Sequence, residues 1–220
     1  MEPIISIAIY AHAFLGGIGL VSGIGSMTVK KGSKLHKRLG KFFFVSMIVS
    51  CIIIMPIAWL PGHKSLFLFL ISLFTVYLVL IGRRALTFKS PKKHKAEFVD
   101  FSISMSMLIF SLFMIAYGVY GLFNQVPDNL LYIIFGGLGL FLIIKNFLFY
   151  NNFKEEKIAW LLTHLTHMIA GLIASITAFI VAGLKIWTFT AWVLPSVIGT
   201  VYIIYWRLKI KGKIVQRKTS

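Results

Sequence analysis

The amino-acid sequence predicts an all-α fold, an integral membrane bundle of seven transmembrane helices that forms a single domain over residues 1–220. Apolar residues make up 58% of the chain and charged residues 13%, against about 45–50% and 25% in soluble domains. A soluble core of this length cannot cover so much apolar surface, so lipid must cover it. The second observation is the distribution of the cations, because 21 of the 23 Lys and Arg residues fall in alternate gaps between apolar stretches.

Seven apolar stretches are long enough to cross a hydrocarbon core of about 30 Å, which takes about 20 helical residues. They are predicted, in chain order, at residues 3–27, 42–60, 65–82, 101–123, 129–149, 158–183 and 190–206. The first stretch is too long for the apolar region of a cleavable signal, and Glu2 replaces the usual basic start. We therefore expect this stretch to remain as the first membrane helix.

Four of the gaps collect the basic residues, and they are the gaps that lie on one side if seven helices alternate in direction. These gaps are residues 30–41, 83–95, 145–157 and 207–218. Lys and Arg accumulate in the cytoplasmic loops of multi-pass proteins. The sequence therefore predicts an outside N-terminus and a cytoplasmic C-terminus, in a bacterial cytoplasmic (inner) membrane. The net charge of +17 lies beside apolar helices, so anionic lipid headgroups are the expected partners, rather than nucleic acid.

The five tryptophans support this orientation independently. Three fall at predicted outer ends, and these are Trp59, Trp187 and Trp192; Trp160 and Trp206 fall at predicted inner ends. Tryptophan is enriched at both membrane interfaces.

Acidic residues and cysteine limit the chemistry that is available. The six carboxylates all precede or begin a predicted helix, and the lack of a carboxylate deep in a span argues against proton-coupled carriers and hydrolases. Cys51 is the only cysteine, which excludes an intrachain disulfide and a thiolate metal cluster.

Two histidines are predicted near the middle of the membrane. His12 lies about 12 Å below the outer end of the first span at a rise of about 1.5 Å per residue. His167 in the sixth span is expected about 16 Å below the outer face, if the core is about 30 Å thick. The two rings are therefore expected to meet, with His164 about one turn nearer the cytoplasm.

Each of these two histidines is followed by a glycine four residues later, Gly16 after His12 and Gly171 after His167. Such a glycine leaves room for a flat ligand or for another helix. Histidines that face each other from separate helices are what a bis-histidine haem requires. The sequence thus predicts one haem b between His12 and His167, beside the two glycines, with His164 as an alternate ligand. The same three histidines are also the predicted ligands for a non-haem metal.

The sequence leaves several functions open. A haem protein would exchange electrons with quinone or a membrane redox partner. A transporter or permeation protein would use the histidines as a relay for a metal ion or a proton. A zinc hydrolase is disfavoured because it lacks an intramembrane general base. In a non-catalytic scaffold or assembly factor, the histidines only hydrogen-bond to neighbouring helices, and the expected partners are Ser102, Ser104, Ser106 and Thr166.

The first basic gap carries a separate candidate site at His36, Lys37 and Arg38. Leu35 and Leu39 share a helix face there, and Lys and Arg residues surround His36. This pattern predicts a short interfacial helix that binds lipid headgroups or another phosphate.

The pattern from His12 through the glycines of the first span to the run Leu35-His36-Lys37-Arg38-Leu39-Gly40-Lys41 resembles a large bacterial family of multi-pass membrane proteins of unknown function. Its members begin with a histidine–glycine helix, followed by a loop of the form Leu-His-Arg-x-x-Gly-Arg-x-Tyr. The likeness covers the first two spans and, more loosely, the sixth. It implies that His12, His36 and His167 belong to a shared pattern, with Lys37 in place of arginine, and it implies no activity. The arrangement is also similar to that of transmembrane b-type cytochromes, which usually carry two histidine pairs.

Overall fold

The computed structural model describes residues 2–155 and 157–219, with side chains for residues 3–155 and 157–212. All regular structure in this part of the chain is helical, and seven helices are long and apolar enough to span a membrane. They are α1 (Glu2–Thr28), α2 (Lys34–Ile57), α3 (Leu66–Arg84), α4 (Phe98–Asn124), α5 (Asn129–Asn152), α6 (Ala159–Ala178) and α7 (Phe189–Thr219). A 3₁₀ turn (Ala85–Lys89) extends α3, and a π turn (Phe179–Gly183) extends α6.

Polar side chains define where several helices begin. The Ser33 hydroxyl accepts a hydrogen bond from the backbone N–H of His36 at 3.1 Å, and this N-cap starts α2. From Lys34 the helix continues without a break into the apolar stretch. The interfacial helix that was predicted around His36 is therefore not a separate element but the first turns of α2.

The helices α1 and α2 pack antiparallel along a line of small residues. A Cβ at Gly16 would lie 3.5 Å from Ser50 Oγ, and one at Gly23 would lie 3.0 Å from a ring carbon of Phe43. Small residues at such spacing let membrane helices approach closely.

A second close pair, which the sequence reasoning did not identify, joins α4 to α5. A Cβ at Gly136 would lie 2.9 Å from the backbone oxygen of Ser111. At Gly118, it would lie 2.8 Å from the backbone oxygen of Asn129. Because both neighbours are backbone atoms, no side-chain movement can make room for a larger residue.

The central helix of the bundle is α3, which contacts α2, α4, α5 and α6. Leu78 and Val79 on α3 are fully buried. By contrast, α7 packs mainly on α6, where Ile173 occupies the space beside Gly199. This peripheral position leaves a space between α7 and α5.

An ion-pair cluster closes one end of α3 and α4. Arg84 pairs with Asp100 and, at 2.8 Å, with Glu97; Lys93 Nζ lies 2.9 Å from Asp100 and 3.2 Å from Glu97. Hydrogen bonds from Arg84 and then Lys93 lower the pKa of the exposed Glu97 carboxyl below its usual value. We call this the basic end of the bundle, because the α1–α2, α3–α4 and α5–α6 connections and the last part of α7 meet there.

Candidate functional site

His12 forms a reciprocal pair with Ser50 on α2. Its Nδ1 lies 2.9 Å from the Ser50 carbonyl oxygen, and Ser50 Oγ lies 3.0 Å from the His12 carbonyl oxygen. A carbonyl oxygen can only accept, so His12 Nδ1–H donates to Ser50 and the Ser50 hydroxyl donates back. This pair joins α1 to α2. Ser50 was not among the partners expected from the sequence.

The two histidines of α6 are also oriented by backbone carbonyls. His164 Nδ1 donates to the Gly82 oxygen on α3 at 2.7 Å, and His167 Nδ1 donates to the Thr163 oxygen at 3.0 Å. His167 is 2% exposed, and the Tyr77 ring lies 5.9 Å from it in an edge-to-face arrangement. With the proton on Nδ1, the Nε2 atom of each ring presents a lone pair.

The structure does not bring His12 and His167 together. A Cβ at Gly23 of α1 would lie 2.7 Å from Leu172 of α6, which sets the register of the two helices. The helices α1 and α6 are antiparallel, because α1 is antiparallel to α2 and α2 is parallel to α6. The two histidines lie on opposite sides of this contact, about 24 Å apart along the bundle axis. The expectation that their rings share one depth is therefore wrong.

No group of three or more His, Cys, Asp or Glu residues is placed to hold a metal ion in the described ranges. The two glycines serve helix contacts, since Gly16 faces Ser50 and a Cβ at Gly171 would lie 3.0 Å from Val79. Haem or metal binding by His12, His164 and His167 stays a prediction.

His36 lies at the basic end, where its Nδ1 donates to the Ser26 oxygen of α1 at 3.0 Å. Lys37 and Arg38 are exposed. Binding of lipid headgroups by this group stays a prediction.

A cavity of about 760 Å³ lies between α5, α6 and α7. Its volume is in the size range of ligand pockets. Its lining residues come from α5, α6, α7, one position on α3 and the α5–α6 connection. They are Phe74, Phe135, Leu138, Phe141, Leu142, Lys145, Asn146, Leu148, Phe149, Asn152, Glu155, Ala159, Leu162, Thr163, Thr166, His167, Ala170, Ile173, Ala174, Ser196, Thr200, Ile203, Ile204 and Arg207.

The lining of the cavity changes character along its length. The part toward the basic end carries the charged groups Lys145, Glu155 and Arg207. The part farther from that end is mostly apolar, with Phe135 and Ile173 in its wall. Such a gradient matches a molecule with a polar head and an apolar chain.

The cavity is open toward the membrane-facing surface of the bundle. Four of its apolar wall residues are between 39 and 56% exposed, and these are Leu138, Phe141, Leu148 and Ile204. In a bilayer this surface faces acyl chains. A lipid molecule therefore has a lateral path into the cavity that avoids water.

Two residues of the cavity lining each carry a fully buried polar atom that has no hydrogen-bond partner among the described residues, and these atoms are His167 Nε2 and Asn146 Oδ1. The Asn146 Nδ2 group donates to the Tyr77 hydroxyl at 2.8 Å, which holds the amide in place. Arg207 Nη1 donates to Thr166 Oγ1 at 3.0 Å, which fixes the guanidinium at the wall.

No family model, curated protein or solved structure matches the chain.

The sequence pattern predicted His167 as a site residue, but it did not predict that Lys145, Asn146 and Arg207 share a cavity with it. The available signal was Lys145 followed by Asn146, two adjacent polar residues within the fifth apolar stretch. Arg207 gave a weaker signal, because an arginine at the inner end of a span is expected from the charge rule alone.

Proposed function

We propose that this multi-pass membrane protein binds an anionic amphiphile in the cavity between α5, α6 and α7, with the anionic head at the basic end. The observation that carries the proposal is the cavity itself. Its cations Lys145 and Arg207 lie toward one end, where Glu155 is the one carboxylate of the lining. Its apolar wall lies toward the other end, and it opens to the lipid-facing surface.

Elementary energetics support this ligand class. An acyl chain that enters an apolar cavity leaves contact with water or with loosely packed lipid and gains close packing. A phosphate or carboxylate at the basic end gains charge-assisted hydrogen bonds from Arg207, whose planar guanidinium suits such groups. Lys145 adds a second positive charge on a flexible stem.

We also propose the orientation with the N-terminus outside and the basic end in the cytoplasm of a bacterial cell. The support is the concentration of Lys and Arg in alternate connections. In this orientation the head of the ligand lies at the level of the cytoplasmic leaflet, whose anionic lipids are attracted to basic segments.

The geometry favours lipid binding over the haem hypothesis. A haem between His12 and His167 requires both rings at one level, and they lie about 24 Å apart along the axis. The His12–Ser50 pair instead supports a structural role for His12, as the scaffold hypothesis expects. A transport role for the cavity would still begin with ligand binding at the same residues.

Lipid titration followed by native mass spectrometry tests the proposal on the delipidated protein in detergent. We expect phosphatidylglycerol to bind about tenfold more tightly than phosphatidylcholine with the same chains, because only the former carries a net negative charge. The double variant Lys145→Gln/Arg207→Gln should lose this preference.

The matched control is Lys154→Gln/Lys209→Gln, which removes the same charge from two positions outside the cavity lining. It should keep the preference. Equal binding of the two lipids by the unmodified protein, or equal losses in both double variants, would overturn the proposal.

A further inference from the structure

The cavity has a definite depth, from its cations at the basic end to its last wall residues at the other end. On α5, Lys145 and Phe135 are 10 positions apart, which is about 15 Å at a rise of about 1.5 Å per residue. On α7, Arg207 and Ser196 are 11 positions apart, or about 16 Å by the same rise. Two helices therefore give nearly the same distance between the cations and the far end.

Buried aromatic rings close the far end of the cavity. Phe74 and Phe135 line it there, both are buried, and their ring centroids lie 6.2 Å apart. Trp192 lies outside the lining and packs on Phe135, with 6.1 Å between the ring centroids. It is one turn before Ser196 on α7, so it lies farther from the basic end. A chain that enters the cavity from the basic end therefore meets closely packed rings at this level.

The depth of the cavity matches one leaflet of a bilayer. A hydrocarbon core of about 30 Å consists of two leaflets of about 15 Å each. A ligand whose head lies at Lys145 and Arg207 can therefore place about one leaflet's length of chain against the wall. Carbons beyond that length have to turn out through the lipid-facing opening, where Leu138 is exposed, and they add no contact with the wall.

We infer that the aromatic floor, formed by Phe74 and Phe135, sets the length of chain that the cavity recognises, so that the ligand is an anionic amphiphile with a chain of one leaflet's length rather than a long isoprenoid. This inference rests on the proposed lipid-binding function and specifies the apolar part of the ligand. The floor acts by shape, because it ends the series of contacts that each added methylene group makes with the wall.

A chain-length series tests the inference in the delipidated protein. Native mass spectrometry gives the dissociation constants of lysophosphatidylglycerols with one saturated chain of about 10 to 24 carbons, a range that brackets one leaflet. We expect the affinity to rise up to about 16 carbons and to stay level, within about twofold, for longer chains. An affinity that keeps rising to the longest chain, or one that does not depend on chain length, would overturn the inference.

Variants at the far end should move the break in this series. Phe135→Ala should shift the break to chains about four carbons longer, because the lost ring leaves room for extra methylene groups. Ser196→Leu adds bulk at the same level and should shift the break to chains about two to four carbons shorter. Phe43→Ala is the matched control, because Phe43 is similarly buried and lies outside the cavity lining. It should leave the break in place.

The series in the unmodified protein and the shift in Ser196→Leu decide the inference even if Phe135→Ala does not fold. A break that stays at the same chain length in the folded far-end variants would overturn the role of the aromatic floor and leave the proposed function standing. Failure of lysophosphatidylglycerol to bind more tightly than lysophosphatidylcholine at every chain length would remove the proposed function as well.

Discussion

Ser50 of α2 and His12 of α1 each donate a hydrogen bond to the backbone carbonyl of the other, with donor–acceptor distances of 3.0 and 2.9 Å. Ser50 is 1% exposed. Polar groups in the hydrocarbon region need partners within the protein. The pair therefore ties α1, most of which faces outward, to the rest of the bundle.

Replacing Ser50 by Ala should weaken this link modestly. The change removes the hydroxyl donor but leaves the Ser50 carbonyl for His12, so the expected loss is about 0.6 kcal/mol, typical of an interhelical hydrogen bond in a membrane. Unfolding by dodecyl sulfate in mixed micelles measures it. Ser106→Ala is the control, because the exposed Ser106 hydroxyl bonds within its own helix. Equal stability of the two variants would contradict the role of the pair.

Two adjacent glycines of α5 should respond in opposite ways to alanine. Gly136→Ala places a Cβ 2.9 Å from a backbone oxygen, whereas a Cβ at Gly137 meets nothing within 4 Å. We expect Gly136→Ala to destabilise by about 1–3 kcal/mol through overpacking. Gly137→Ala should be neutral or stabilising by up to about 1 kcal/mol, since alanine favours helix. The same unfolding assay compares them, and similar effects would contradict the α4–α5 contact.

The sequence was sufficient for the number of helices because hydropathy and length determine a membrane span. The sequence was not sufficient to predict the depth of His12 in the membrane relative to that of His167. Each depth was measured from the end of its own span, which assumes that all spans end at one level. The register set by Gly23 and Leu172 places the start of α6 about 12 Å beyond the end of α1 toward the basic end. Side-chain contacts determine that offset, and hydropathy does not.

The cavity also could not be predicted from the sequence, for a related reason. Asn146 and Arg207 lie 61 positions apart in the chain. They share one cavity because α7 packs on α6 and leaves a space toward α5. The packing of the whole bundle determines which helices remain apart. The periodicity of residues within one helix does not predict this separation.

The Glu97 carboxyl should make stability depend on pH. In the folded protein the pKa of Glu97 lies below the usual 4.5. The ion pairs of Glu97 therefore contribute their full stabilisation above pH 4.5, and this contribution is lost as the pH falls through the lowered pKa. Glu97→Gln removes the charge but keeps an oxygen at the helix cap. The variant should be less stable than the unmodified protein at pH 7, and the difference should shrink as the pH falls below 4.5 toward the lowered pKa of Glu97. A difference that is the same at pH 7 and pH 3.5 would contradict this account.

Orientation can be tested with single cysteines in a Cys51→Ser background. Lys64→Cys lies in the α2–α3 turn, and Lys92→Cys lies in the α3–α4 connection at the basic end. A membrane-impermeant maleimide should label Lys64→Cys in intact cells and Lys92→Cys only after permeabilisation. The reverse pattern would place the basic end outside.

The most direct test of lipid occupancy is photo-crosslinking from within the cavity. Benzoylphenylalanine in place of Ile203, which lines the cavity, should give an adduct with the mass of a phospholipid after mild detergent purification. The matched position is Ile198, which is exposed on α7 outside the lining. When irradiation follows the removal of bulk lipid, this position should give no lipid adduct. A phospholipid adduct retained only at Ile203 is the predicted result; no adduct at Ile203, or equal adducts at both positions, would contradict a lipid-binding cavity.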